Sequence, residues 1–213
     1  MKCKICGTGT LRDLEIAVSA GADAVGFIVG TTHKSEDSIS PSQAGEMIRA
    51  LPPFISGVVV THLTETADLI RLIEETACSV LQIQDMVPVE TLVLLRERFP
   101  YLTLIKAVHV VDETAVDTAK VFARYADAIL LDSRTADRLG GTGITHDWSI
   151  SARIVEAVDK PVILAGGLNP ENLVAAMSSV KPYAVDVHSG VKKNGVRDLE
   201  RTADFVRTAH GFH

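Results

Sequence analysis

The chain has 213 residues, 46 % of them apolar and 23 % charged, with a formal net charge of −6. That balance excludes a disordered chain, which goes with low hydrophobicity, and a general nucleic-acid surface, which needs a basic stripe. The longest apolar run is five residues (173–177), far short of the ~20 of a membrane-spanning helix.

The amino terminus, Met1-Lys2-Cys3-Lys4-Ile5-Cys6, lacks the apolar core of a signal peptide. Three cysteines in the whole chain make no disulfide framework, so reduced thiols and a cytoplasmic location are expected. The first strand falls on 2–6. Further β-branched runs predict strands over 24–29, 55–61, 79–84, 102–107, 127–132, 161–165 and 183–188. Each interval holds one helix-period segment: 11–19, 42–51, 65–76, 89–98, 113–125, 150–158 and 171–179, with an eighth at 199–208. Ser40-Pro41 and Asn169-Pro170 each set a capping side chain before a proline at the first helical position. Asp112 and Asp147 are expected to cap the fifth and sixth helices. Gly21 is positioned to stop the first. No linker or composition break divides residues 1–213, so one α/β domain is expected, and eight alternating units favour a closed (β/α)₈ TIM barrel over an open doubly wound sheet. The widest intervals follow the second and sixth strands, and both loops would sit at the carboxyl-terminal face, where such barrels carry their chemistry.

Polar residues at the carboxyl ends of the strands are the informative set. Cys6 ends the first strand, ahead of Gly7, and Asp132 ends the sixth. Alternation turns Cys3 away from Cys6, so the C-x-x-C spelling is a poor metal or disulfide pair. The same alternation puts Lys4 inside the barrel below Cys6 and Asp186 inside from the eighth strand. A Lys4–Asp186 ion pair is expected, because unpaired buried charges are costly. Glycine-rich turns follow strands seven and eight, at Gly166-Gly167 and Ser189-Gly190. Glycines let backbone N–H groups converge on an anion, and these turns are the usual phosphate site of the barrel. A third cluster, Gly140-Gly141-Thr142-Gly143, reads as a lid or phosphate cradle. His33, His62, His109, His146 and His188 are scattered over several loops and strand ends without a His-x-His, so no metal site is expected.

The chain resembles the phosphoribosylanthranilate isomerase family. The resemblance spans nearly all of it, through Lys4-Ile5-Cys6-Gly7, Gly21-Ala22-Asp23-Ala24-Val25-Gly26-Phe27, Ile39-Ser40-Pro41, Leu130-Leu131-Asp132-Ser133 and Asp147-Trp148. It continues in Leu164-Ala165-Gly166-Gly167-Leu168-Asn169-Pro170-Glu171-Asn172, and in Ala184-Val185-Asp186-Val187 with Ser189-Gly190-Val191. It implies a metal- and cofactor-free barrel that performs an Amadori rearrangement on a phosphoribosylamine, in tryptophan biosynthesis. Cys6 would be the general base and Asp132 the general acid, with backbone around Gly166, Gly167, Ser189 and Gly190 on the phosphate. A thiol near pKa ~8.5 would have to shift down and a carboxyl near ~3.9 up to serve at neutral pH. The expected ligand is a small phosphosugar, the assembly a monomer or homodimer.

The departures cluster. The family's arginine before the Ile-Ser-Pro element is Asp37 here, which is expected to repel a substrate carboxylate. Its Gln-Leu-His-Gly element is Gln82-Ile83-Gln84-Asp85, and its Asp-Val-Ser-Ser-Gly-Val-Glu is Asp186-Val187-His188-Ser189-Gly190-Val191-Lys192. Gln82, Asp37, Gly141 and His188 are further substrate-binding candidates, and Lys34, His33 or Arg134 candidate replacements for the missing cation. Two other readings fit the same motifs: this chemistry on a different phosphosugar amine, or a barrel that binds phosphosugars without catalysis.

Overall fold

The computed structural model describes residues 1–31, 36–133 and 147–212. Eight parallel strands close into a barrel in sequence order: β1 (Lys2–Ile5), β2 (Ala24–Ile28), β3 (Ser56–Thr61), β4 (Val80–Ile83), β5 (Thr103–Val110), β6 (Ala128–Ser133), β7 (Val162–Leu164) and β8 (Ala184–Val187). The ring shuts where β1 pairs with β8, Lys4 opposite Asp186. Helices α1 (Leu11–Ser19), α2 (Pro41–Arg49), α3 (Thr66–Thr76), α4 (Val89–Arg98), α5 (Thr114–Ala123), α6 (Trp148–Ala157), α7 (Leu173–Val180) and α8 (Leu199–Gly211) follow the strands in turn. A two-residue hairpin, β9 (Lys192–Lys193) and β10 (Val196–Arg197), precedes α8. Its turn, Asn194-Gly195, has positive φ at both residues (52° and 79°), the backbone such a tight hairpin demands.

Strand alternation builds two layers. Outward side chains such as Cys3, Ile5, Val59 and Leu131 pack with the helices in one large core. Inward ones, including Cys6, Val58, Val60, Ala107, Leu130 and Ala165, form a separate inner cluster. Each fully buried aliphatic side chain contributes roughly 1.5–3 kcal/mol. The inner cluster is rich in alanine, and that small volume leaves room for the buried polar residues Lys4, Gln82, Gln84 and Asp186.

The helix ends follow local chemistry. Ser40 and Gln43 form a reciprocal capping box on α2, with Pro41 at its first position. Thr10 and Asp13 do the same for α1. Asp112 accepts from the Thr114 N–H at 2.8 Å, and Asp147 from Ser149 at 2.9 Å. Asn169 does not cap a helix that starts at Pro170. Its side chain accepts from the Glu171 and Asn172 amides at 3.0 and 2.9 Å, closing a turn, and α7 starts only at Leu173. Strand β5 runs to Val110, three residues beyond the predicted end, because its partner β6 continues to Ser133 and keeps pairing with it. Among the described residues, no helix is long and apolar enough to cross a membrane.

Candidate active site

Cys6 continues β1 past its last strand residue, its N–H donating to the Val187 carbonyl at 2.8 Å. Its side chain faces inward, above Lys4, and Cys3 packs outward with the helices. Gly26 on β2 makes the space: a Cβ there would lie 2.9 Å from the Cys6 Sγ and 3.0 Å from the Lys4 Cε. Lys4 Nζ meets Asp186 Oδ2 at 2.6 Å, both side chains buried. From the other side, the buried Arg197 donates through Nη2 to the carbonyls of Cys6 (2.6 Å) and Gly7 (2.8 Å). Burial pushes the Cys6 thiol up. Lys4, Arg197 and the Gly7 backbone pull it down and Asp186 pushes it up, so the balance stays above the ordinary value. Nearby cations such as Lys4 and Arg197 favour the thiolate over the thiol.

Asp132 faces inward from β6, on the same side of the strand as Leu130. Three pairings, β1–β8, β8–β7 and β7–β6, separate it from Cys6 around the ring. Thiol and carboxyl therefore look into one mouth from different walls. Gln84 Nε2 donates to Asp132 Oδ2 at 2.8 Å, and Gln82 Nε2 donates to Gln84 Oε1 at 2.9 Å. At the Gln82 end of that row, Oε1 is buried with no hydrogen-bond partner among the described residues, which costs about 1–3 kcal/mol unless a ligand satisfies it.

The two glycine turns form one structure. Gly166 and Gly167 have φ of 83° and 68°, a left-handed backbone that side chains disfavour. A Cβ on Gly190 would lie 1.9 Å from the Leu168 carbonyl oxygen, so the turn after β8 is pressed onto the turn after β7. Asn172 Nδ2 ties back to the Gly167 carbonyl at 2.9 Å. Arg201 bonds the Gly190 carbonyl at 3.2 Å and Glu171 at 2.8 Å. Ser189 opens a single 3₁₀ turn, Ser189–Val191. Such a frame can present backbone N–H groups to an anion.

Asp37 corrects an expectation. It is not a lone anion facing the substrate: its Oδ2 bonds His188 Nε2 at 2.7 Å and Lys192 Nζ at 2.5 Å. Burial pushes its carboxyl up, but the two partners outweigh burial and hold it at about 2. The His188 ring lies on Gly7, where a Cβ would stand 2.2 Å from Nε2. The departures at 37, 188 and 192 are thus one hydrogen-bonded cluster beside Cys6. Gly141, His33, Lys34, Arg134 and His146 lie outside the described residues. His62 pairs with Asp85 at 3.1 Å, and no group of three or more metal-ligating side chains that could hold a metal ion is found among the described residues.

Gly26, Gln84, Lys192 and Arg197 were not among the residues predicted to build the site. A glycine inside an apolar strand signals a close approach, which identifies Gly26 in retrospect. Arg197 sits in a polar hairpin whose sequence carries no sign that the guanidinium turns inward.

Fold and mouth together define a (β/α)₈ barrel enzyme with its polar inward residues gathered at the carboxyl ends of the strands. The chain matches the sequence model described as N-(5'phosphoribosyl)anthranilate (PRA) isomerase over residues 3–208, and it belongs to that family. It is 40 % identical over 212 residues to N-(5'-phosphoribosyl)anthranilate isomerase 2 of Methanosarcina mazei, covering 98 % of this chain and 94 % of that one. The crystal structure of phosphoribosyl anthranilate isomerase from Thermotoga maritima is similar along the full length of both chains, with a TM-score of 0.87 and 34 % identity. Another such isomerase, solved with reduced 1-(o-carboxyphenylamino)-1-deoxyribulose 5-phosphate, gives 0.83 and 33 %, again over the full length of both. A 3-hexulose-6-phosphate synthase at 10 % identity and a TM-score of 0.69 shares the fold.

Proposed function

We propose that this chain isomerises N-(5-phosphoribosyl)anthranilate to the corresponding 1-deoxyribulose 5-phosphate, with Asp132 as general acid and Cys6 as general base. Protonated Asp132 gives its proton to the furanose ring oxygen. The C1–O bond breaks, and the nitrogen lone pair closes the iminium. Cys6 as thiolate then removes the proton from C2, and those electrons form C1=C2 as the iminium π pair returns to nitrogen. The enolamine tautomerises to the ketone, the C2 hydroxyl losing its proton and C1 gaining one. The observation that carries this reading is an inward thiol and an inward carboxyl at one mouth, in a chain of this family.

The phosphate end is assigned to the backbone around Gly166, Gly167, Ser189 and Gly190, with the dipole of α7 behind it. At the carboxylate end we assign Lys192 and His188. Both reach the single carboxylate of Asp37, and Lys192 brings it a full positive charge. That removes the reason, repulsion by Asp37, to favour a substrate without a carboxylate. Three free, buried thiols fit the cytoplasmic location that belongs to this reading.

Purified protein supplied with phosphoribosylanthranilate is expected to abolish the fluorescence of this substrate and release the ketose. A folded protein that binds it without turnover would favour the non-catalytic barrel.

A further inference from the structure

The row Gln82–Gln84–Asp132 crosses the mouth from β4 to β6 by way of β5. Both amides are buried: Gln82 is 2 % and Gln84 8 % exposed. The Gln84 backbone is itself held, its N–H donating to the Thr61 carbonyl at 2.9 Å. The β5 residue on the same inner face, Ala107, is small enough for Gln84 to pass on its way to the carboxyl.

The order of donors in this row has a chemical consequence. Gln82 gives an N–H to Gln84 Oε1, which fixes the oxygen end of that amide toward Gln82. The nitrogen end must then face Asp132, and it donates to Oδ2. Turning the Gln84 amide over would set N–H against N–H on one side and, against an ionised carboxyl, oxygen against oxygen on the other. The bond holds one oxygen of the Asp132 carboxyl at a fixed place in the mouth.

We propose that Gln84, held by Gln82, is a positioning residue that fixes the orientation in which the Asp132 carboxyl meets the sugar ring. The inference rests on Asp132 being the general acid. Gln84 acts through the acid, orienting it much as a fixed partner orients a catalytic imidazole.

The test is the steady-state kinetics of Asp132→Asn, Gln84→Met, Gln84→Glu, Gln84→His and Gln82→Met on phosphoribosylanthranilate across pH, each checked for folding by thermal melting. Gln84→Met removes the donor at similar volume. Its kcat is expected to fall about 10- to 100-fold, a part of the roughly 10²- to 10⁴-fold that general-acid catalysis supplies, with KM nearly unchanged. The alkaline limb of its kcat profile should move to higher pH, because an N–H that favoured the ionised carboxyl is gone. Gln84→Glu should move the limb the same way, as two carboxyls come to share a proton, and it carries the test if the methionine variant does not fold. Gln84→His restores an N–H donor and should recover part of the lost kcat. Gln82→Met frees the Gln84 amide to turn and should give a smaller fall.

An inactive Asp132→Asn beside a Gln84→Met with wild-type kcat and pH profile would overturn the relay and leave the acid in place. A kcat loss without movement of the alkaline limb, unrelieved in Gln84→His, would reduce Gln84 to packing and also overturn it. An active Asp132→Asn would remove the acid assignment itself.

Discussion

Lys4 and Asp186 meet at 2.6 Å inside the barrel, across the β1–β8 closure and under the sulfur of Cys6. The pair joins the first strand to the last and sets a positive charge beneath the candidate base. Replacing Lys4 with methionine strands a carboxylate in the interior. The expected loss is about 3–5 kcal/mol of stability, measured by urea unfolding, and replacing Asp186 with leucine in the same protein should recover most of it. Recovery of folding without recovery of activity would separate the structural role of the pair from its field at Cys6.

The Asp37 cluster predicts a split between binding and chemistry. Lys192→Met should raise KM about tenfold, roughly 1.4 kcal/mol of binding, with kcat nearly unchanged. The same cluster predicts an acid signature. Asp37 has its carboxyl lowered from 3.8 to about 2, so the stability it contributes is full above pH 3.8 and fades as pH falls toward 2. That contribution is ~2 kcal/mol. Unfolding free energies between pH 5 and 2 should lose this slope in Asp37→Asn.

Gly26 reports on room at the sulfur. A Cβ there would press on the Cys6 Sγ at 2.9 Å and the Lys4 Cε at 3.0 Å. Gly26→Ala should fold and should lose on the order of 100-fold in kcat, the effect of misplacing a reacting group by about an ångström. Normal turnover in this variant would mean that the sulfur tolerates displacement.

The barrel was legible because its signals are local and repeat: apolar runs of strand length, helix-period segments and capping residues. The Lys4–Asp186 pair was legible too, since alternation and ring closure alone bring residues 4 and 186 together. The pairing of Asp37 was not legible. Its partners, His188 and Lys192, come from the far end of the chain, and nothing local announces them. Gln84 was read as a departure from a motif, and only the coordinates show that its amide reaches Asp132. The caps failed at Asn169 because a turn and a helix start use the same residues there.

Lys106 gives the opposite pH signature to the cluster at Asp37 in position, though not in sign. It is buried, its Nζ bonded to the Ile83 carbonyl at 3.3 Å and to the Ala107 carbonyl, 5.2 Å from the centre of the Phe122 ring. Burial lowers its ammonium from 10.5 to about 7, against a weaker pull upward from Asp85. Between those values the unfolded chain holds a proton that the folded one has released, so stability should rise as pH climbs from 7 toward 10.5. The span is on the order of a few kcal/mol. Lys106→Met should flatten that slope and unfold no more easily than wild type at pH 7.

The direct test of the central assignment compares wild-type protein with Cys6→Ser and Asp132→Asn on phosphoribosylanthranilate, with binding of a reduced product analogue measured alongside. Each variant is expected to lose about 10²- to 10⁴-fold in kcat while holding the analogue with near wild-type affinity. A folded Cys6→Ser or Asp132→Asn protein that turns over substrate at the wild-type rate would contradict that assignment.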